Sequence, residues 1–371
     1  MTDRAAALRA EGRDIISLSV GEPDFAMPSH VADAVRAALD AGDTKYTPVA
    51  GTARLRAAAA LHFKRDLGLD IPPDRVIVSA GGKQAIFHAL LATLNPGDEV
   101  LIPAPWWVSY PEIVRFAGAE VVALPTDPAG GFRITPVQLE RAITPGTRWL
   151  LLNSPGNPTG AIYPAEELRA LGEVLLRHPR VLVMSDDIYA PLRYIPGNHA
   201  TLAAECPDLE SRILTVSGVS KSHAMTGFRI GVSAGPEWLV SAMARLQSHS
   251  SGNPSSISQA AAVAAFEGPQ EFLRDWCGRF RSRRDMVVAA INAIPGLSAP
   301  VPDGAFYCFV DAAPVMARFG DDEALALHLL DHGVAIVAAS AFGAKDGFRI
   351  SFAADETKLE QALNRIAKAL S

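Results

Sequence analysis

Apolar runs of strand length alternate along this chain with segments whose apolar residues recur at helical spacing. Arg75-Val76-Ile77-Val78-Ser79 predicts a strand, Gly81-Gly82 a break, and Gln84 to Leu94 a helix, closed by the turn Asn95-Pro96-Gly97-Asp98. Glu99 to Ile102 and Trp149 to Leu152 predict further strands, the second followed by a helix beginning near Ala165. Val181 to Met184 is short and wholly apolar, and Ile213 to Val216 and Ile230 to Ala234 complete the series. Strands that alternate with helices imply a mostly parallel sheet covered on both faces.

The pattern changes in the last quarter. Phe306 to Val310, Val334 to Val337 and Phe348 to Phe352 predict strands, with helices over Asp322 to His332 and Thr357 to Leu370. This reads as a smaller α+β unit, joined to the first within or near the helical stretch Phe272 to Ile294. Neither an internal repeat nor a low-complexity linker interrupts the chain.

The 371 residues suffice for two domains, and 49% hydrophobic residues supply a sizeable core. A net charge of −6 argues against a nucleic-acid or anionic-membrane partner, which favours a basic patch. Cys206, Cys277 and Cys308 are far apart, which fits a reducing compartment and neither a disulfide framework nor a zinc site. The histidines show no metal-ligand spacing. The start, Met1-Thr2-Asp3-Arg4 and an amphipathic stretch through Arg9 and Glu11, lacks the apolar core of a signal peptide, and no apolar run is long enough to span a bilayer. A cytoplasmic globular protein is the expectation.

In an open α/β sheet, ligands sit beyond the carboxyl ends of the strands. The polar residues just past the predicted strands are Gly81-Gly82-Lys83, Asn157, Asp186, Tyr189, Lys221 and Arg229, the groups that a pyridine ring, a phosphate and an imine require. Lys221, in Gly218-Val219-Ser220-Lys221, stands among small residues; burial and nearby cations would free its amine as a nucleophile and proton carrier. A surface loop lysine is the plain alternative. Asp186 ends a strand so apolar that its carboxylate needs a partner, and a pyridinium N–H is one; a helix N-cap is the other reading. Tyr189 and Asn157 are placed to hydrogen-bond a phenolate oxygen. Gly82 and Lys83, opening a helix, form an anion cradle that Arg229 would complete, although the spacing is neither that of a Walker loop nor that of a dinucleotide fingerprint. Trp107 offers a stacking ring or ordinary core packing. Arg349, in Gly347-Phe348-Arg349-Ile350-Ser351, suits bidentate binding of a substrate carboxylate, with a surface ion pair as its alternative.

With these motifs in this order, the chain resembles the class I/II aminotransferases of pyridoxal-phosphate fold type I. The likeness runs from Leu18-Ser19-Val20-Gly21-Glu22-Pro23-Asp24-Phe25 to Phe348-Arg349-Ile350-Ser351, with Gly218-Val219-Ser220-Lys221 through Gly231 matching the family's lysine attachment motif. Lys45-Tyr46-Thr47-Pro48, Gly81-Gly82-Lys83-Gln84, Asn153-Ser154-Pro155 with Asn157-Pro158-Thr159-Gly160, and Ser185-Asp186-Asp187-Ile188-Tyr189 are most similar to bacterial aspartate aminotransferases of the subgroup that also acts on prephenate. The resemblance implies a seven-stranded, mostly parallel sheet in a large cofactor domain over 26–275, and a small domain built from 1–25 and 276–371. It implies that Lys221 attaches pyridoxal 5′-phosphate and shuttles protons, that Asp186 pairs with the ring nitrogen, and that Asn157 and Tyr189 hold the phenolate oxygen. Trp107 stacks on the ring, while Gly82, Lys83 and Arg229 hold the phosphate. Tyr46 reaches the phosphate of a neighbouring subunit, so a homodimer with shared sites is expected. Gly21 and Arg349 hold the substrate α-carboxylate, and Lys83 meets the side-chain carboxylate of an acidic substrate. The implied reaction moves an amino group from an amino acid, aspartate first, to 2-oxoglutarate; a prephenate or broad aromatic aminotransferase is the alternative, and a non-catalytic regulator with this fold ranks below both. Two positions depart from the subgroup: Trp106 where tyrosine is common, and Ala338-Ala339 where Pro-Gly is usual.

Overall fold

The strands of the computed structural model, which describes residues 2–371, are, in chain order, β1 (Ile16–Ser17), β2 (Val76–Ser79), β3 (Glu99–Ala104), β4 (Glu120–Pro125), β5 (Thr147–Asn153), β6 (Leu182–Asp186), β7 (Ile213–Gly218), β8 (Gly231–Ala234), β9 (Tyr307–Asp311), β10 (Val334–Ala335), β11 (Val337–Ala338) and β12 (Gly347–Ser351). Seven of them form one sheet in the order β2-β8-β7-β6-β5-β3-β4. The wholly apolar β6 lies in the middle, buried along its length, as continuous hydrophobic strands of parallel sheets are. Helices Gly82–Thr93 and Ala165–Arg177 cover opposite faces, each packing its apolar stripe against the strands.

β8 is the exception to the parallel arrangement, antiparallel to both β2 and β7. The reason lies in the link from β7. Residues Val219 to Ile230 contain only a short 3-10 turn at Thr226–Phe228, with no crossover helix to carry the chain back to the far end. The chain therefore turns around, and Lys221 and Arg229 stay at the same edge of the sheet.

Two strands escaped the sequence pattern, the two-residue β1 and β4. β4 occupies the sheet edge and is only partly buried, so its residues lack the run of the inner strands. The stretch Val334 to Val337, expected as one strand, is two. β10 pairs parallel with β1 near the amino end, whereas β11 joins β12 and β9 in a three-stranded antiparallel sheet. The long helix Phe272–Asn292 packs on this sheet together with helix Glu356–Leu370, around Phe280, Phe306, Phe348, Ile350 and Phe352. Each such buried apolar side chain contributes about 1.5–3 kcal/mol.

Through β1, the amino-terminal segment is tied to this second assembly. The amide of Leu18 donates to the Ala335 carbonyl (2.8 Å) and the Ser351 amide donates to the Leu18 carbonyl (2.8 Å). Ser19 and Gly21 are thereby laid between β12 and the carboxyl edge of the large sheet.

Candidate active site

The carboxyl edge of the large sheet faces β12 and the amino-terminal segment across a cavity of about 480 Å³. Gly21, Gly82, Lys83, Trp107, Asn157, Asp186, Tyr189, Lys221, Arg229 and Arg349, scattered over more than 300 positions of sequence, all line it. Of the residues singled out from the sequence, Tyr46 alone stands apart, 98% exposed on a surface loop.

Lys221 follows β7. Its Nζ donates to the Gly21 carbonyl at 2.5 Å and lies 5.9 Å from the centre of the Tyr189 ring. Burial is the main force lowering its pKa, from 10.5 to about 8; Arg229 and Arg349 push the same way, against Glu22 and Asp186. An amine so placed loses its proton about two and a half pH units earlier than an exposed lysine, and only the neutral amine attacks a carbonyl. The sign gives a prediction. Uptake of an aldehyde cofactor by the apoprotein, followed by absorbance, should accelerate with rising pH and level off just above 8. A rate still climbing steeply at pH 10 would show that the amine is not held in this way.

Asp186 ends β6 and is buried. Its Oδ2 accepts from the Tyr110 hydroxyl at 2.6 Å and its Oδ1 from the Ile188 amide at 3.3 Å. Desolvation outweighs both bonds and raises its pKa to about 6. A carboxylate this short of compensation has capacity for another donor or a cation. Tyr110 was not singled out from the sequence, where it sits in the apolar stripe of helix Ser109–Phe116. The available signal was chemical: a buried tyrosine hydroxyl needs a partner.

Asn153, which the sequence offered only within the motif Asn153-Ser154-Pro155 and without a role, ends β5 as Asp186 ends β6. Its amide donates to the Asp186 carbonyl (2.8 Å) and its Oδ1 accepts from the Asn157 amide (2.8 Å), so it fixes the turn that carries Asn157. Asn157 Oδ1 in turn accepts from Arg349 Nη1 at 2.9 Å, and Arg349 Nη2 donates to the Ser19 carbonyl at 2.6 Å. Arg349 is buried, its Nε has no hydrogen-bond partner among the described residues, and burial lowers its pKa. A buried guanidinium with no carboxylate beside it is an anion receptor.

A second anion receptor lies at the amino end of helix Gly82–Thr93. Its first-turn N–H groups have no partners within the helix and carry the positive end of the helix dipole. Arg229 reaches over this end: a Cβ placed on Gly81 would lie 2.6 Å from Arg229 Nη2. Gly231 presses from below, since a Cβ there would meet the Gly82 nitrogen at 2.4 Å. Arg229 itself adopts φ 54°, a left-handed conformation that costs a non-glycine residue about 1 kcal/mol or more and is typically kept at functional sites.

Lys83 Nζ sits 5.0 Å from the centre of the Trp107 ring and has no ion-pair partner among the described residues. The remaining wall is apolar: Ile86, Val108, Val337 and Phe342.

An electron-poor pyridine carrying a phosphate and an aldehyde matches this set: an anion cradle, an underpaired buried carboxylate and a lysine with a lowered pKa. The model of the aminotransferase class I and II family matches residues 13–366. The chain belongs to that family. Aminotransferases of this family act on amino acids and 2-oxo acids with the help of pyridoxal phosphate. Among the relatives of this aminotransferase, an aspartate/prephenate aminotransferase from Cereibacter sphaeroides is 48% identical over 99% of this chain and 94% of that protein. The crystal structure of the Rhizobium meliloti aspartate aminotransferase superposes with a TM-score of 0.95 at 47% identity, covering 100% of this chain and 94% of that one. The Thermus thermophilus aspartate aminotransferase with maleate gives 0.93 at 43% identity, covering 100% and 95%. The aminotransferase described here shares their fold type. Among its described residues no helix is long and apolar enough to cross a membrane, and no cluster of metal-ligating side chains occurs.

Proposed function

We propose that this chain is a pyridoxal-phosphate-dependent aminotransferase of the aspartate type, with 2-oxoglutarate as amino acceptor. The observation that carries the reading is the meeting in one cavity of a lysine amine with lowered basicity (Lys221), a buried carboxylate (Asp186) and a buried guanidinium (Arg349) whose Nε has no partner among the described residues. Pyridoxal phosphate, when bound, supplies an aldehyde and a ring that withdraws electrons from the substrate's α-carbon. The N–H groups of Gly82 and Lys83, with Arg229, would hold its phosphate. Asp186, kept in place by Tyr110, would keep the ring nitrogen protonated. Asn157 and Tyr189 would hydrogen-bond the phenolate oxygen, and Trp107 would stack on the ring.

Arg349, steadied by Asn157 and the Ser19 carbonyl, binds the α-carboxylate beside Gly21. Lys221 Nζ takes and returns the proton at the α-carbon, a task suited to a group whose pKa lies near the working pH. Ile86, Val108, Val337 and Phe342 exclude water around that transfer. Lys83, lacking a carboxylate of its own, meets the side-chain carboxylate of an acidic substrate. We also propose that the active form is a cytoplasmic homodimer, with the exposed Tyr46 reaching the cofactor phosphate of the neighbouring subunit. On the same reading, 26–275 is the cofactor domain, and 1–25 with 276–371 is the smaller one.

The same apolar wall favours a second reading, a prephenate or broad aromatic aminotransferase. A screen of amino donors against 2-oxo acids separates them. Aspartate and glutamate should give the highest kcat/KM, with 2-oxoglutarate the best acceptor. Good turnover of alanine or phenylalanine with none of aspartate or glutamate would overturn the acidic specificity, and a preference for prephenate as acceptor would favour the second reading.

A further inference from the structure

Tyr307 opens β9 and is fully buried at the back of the cavity, where it touches three parts of the machinery at once. Its ring lies under the Arg349 guanidinium, 4.4 Å from centre to Cζ. Its hydroxyl is 2.8 Å from the Tyr189 hydroxyl, and the two rings meet edge to face at 82°. Its hydroxyl also closes on Gly21, where an added Cβ would stand only 2.8 Å away. In the sequence it reads as one more aromatic in Ala305-Phe306-Tyr307-Cys308-Phe309, a strand core, and nothing in its spacing marks it.

We infer that Tyr307 is a positioning residue that couples carboxylate binding to the cofactor: its ring is the platform for Arg349 and its hydroxyl sets the direction of the Tyr189 proton. The inference rests on the functional reading above. Arg349 has two fixed bonds from its Nη atoms and none from Nε, so the plane of its fork is supported by aromatic faces, Tyr307 at 4.4 Å and, more distantly, Phe342 at 5.1 Å. The hydroxyl argument follows from donor counting. Tyr189 has one proton. If that proton goes to the cofactor's phenolate oxygen, the Tyr189 oxygen is left as the acceptor of the 2.8 Å bond, and Tyr307 must be its donor. Donation from Tyr307 polarises the Tyr189 O–H and strengthens its bond to the negatively charged oxygen. The hydroxyl and the ring are thus separable functions of one side chain.

Two variants take them apart. Y307F keeps the platform and removes the donor. Binding of maleate, a dicarboxylate without an amino group, should change less than about 2-fold, whereas the pH midpoint of the bound cofactor's visible absorbance should move upward, because a less stabilised phenolate oxygen holds its proton more tightly. Y307L removes both. Maleate binding and the KM of every amino acid donor should weaken about 10-fold, the scale of a desolvated cation–π contact. Thermal melting of each variant with cofactor bound separates these effects from loss of fold; should Y307L melt below the assay temperature, Y307F and its absorbance titration decide. A Y307F enzyme whose absorbance titrates as the wild type does would overturn the inference while leaving the aminotransferase reading intact. A wild-type protein that takes up no cofactor would overturn that reading itself.

Discussion

Replacing Lys221 by alanine should leave a folded protein that does not transaminate and does not acquire the visible absorbance of a covalently held cofactor. The short link between β7 and β8 puts this side chain in the cavity, where burial lowers its pKa to about 8. No other lysine there can replace it. Lys83 lines the same cavity, but its Nζ rests over the Trp107 ring at the opposite task. Removal of a positioned acid–base group alone costs up to about 10⁴-fold in rate, and loss of the covalent attachment adds to that. Pyridoxal phosphate should still bind, held by the phosphate cradle and by Asp186, but it should wash out on dialysis. Substantial activity in the alanine variant would refute the assignment. Because the wild-type amine is buried, the variant should unfold at a temperature no lower than the wild-type apoprotein, so a loss of activity through misfolding is readily told apart.

The second large effect is expected at Arg349. Alanine here should raise KM by about 10²-fold for every amino donor and every 2-oxo acid alike, since all of them share the α-carboxylate. A charge-assisted hydrogen bond contributes about 1.5–3 kcal/mol, and about 2.7 kcal/mol is 100-fold in binding. Arg349→Lys should recover only part of the loss, because an ammonium keeps the charge without the planar fork. The effect should fall on KM more than on kcat where substrate and transition state use the carboxylate equally. An unchanged KM would remove Arg349 from substrate binding. Selective loss of acidic substrates only would place it at the side chain instead.

How much of this was readable beforehand depends on what each residue needed. Lys221, Asp186 and Asn157 follow strands whose apolar runs are unambiguous, and the rule that ligands sit beyond carboxyl strand ends points to them directly; Arg229 instead precedes β8 and reaches the same edge because that strand runs antiparallel. Arg349 was found by its place in a strand of the second unit, but its bonds to Asn157 and the Ser19 carbonyl were not, since they join positions 157, 19 and 349 through tertiary packing. Tyr110 and Tyr307 were hidden because each occupies a core position, and a tyrosine that packs by its ring looks in sequence like any aromatic. Their hydroxyls show only once Asp186 and Tyr189 are seen opposite. β4 was missed because an edge strand needs less burial than an inner one, so Glu120-Val121-Val122-Ala123-Leu124-Pro125 carries a weaker signal. The split of Val334 to Val337 between two sheets depends on which partner strand arrives, β1 or β12, and periodicity within the segment holds no information about that.

Catalysis by this chain requires a covalent link at one nitrogen, Lys221 Nζ, and one measurement addresses it most directly. The purified protein is mixed with pyridoxal phosphate at pH 8, treated with borohydride to make any imine permanent, digested, and its peptides weighed. A single modified peptide is expected, carrying the reduced pyridoxyl phosphate on Lys221. Modification at Lys83 or a surface lysine with Lys221 untouched, or no modified peptide at all, would contradict it.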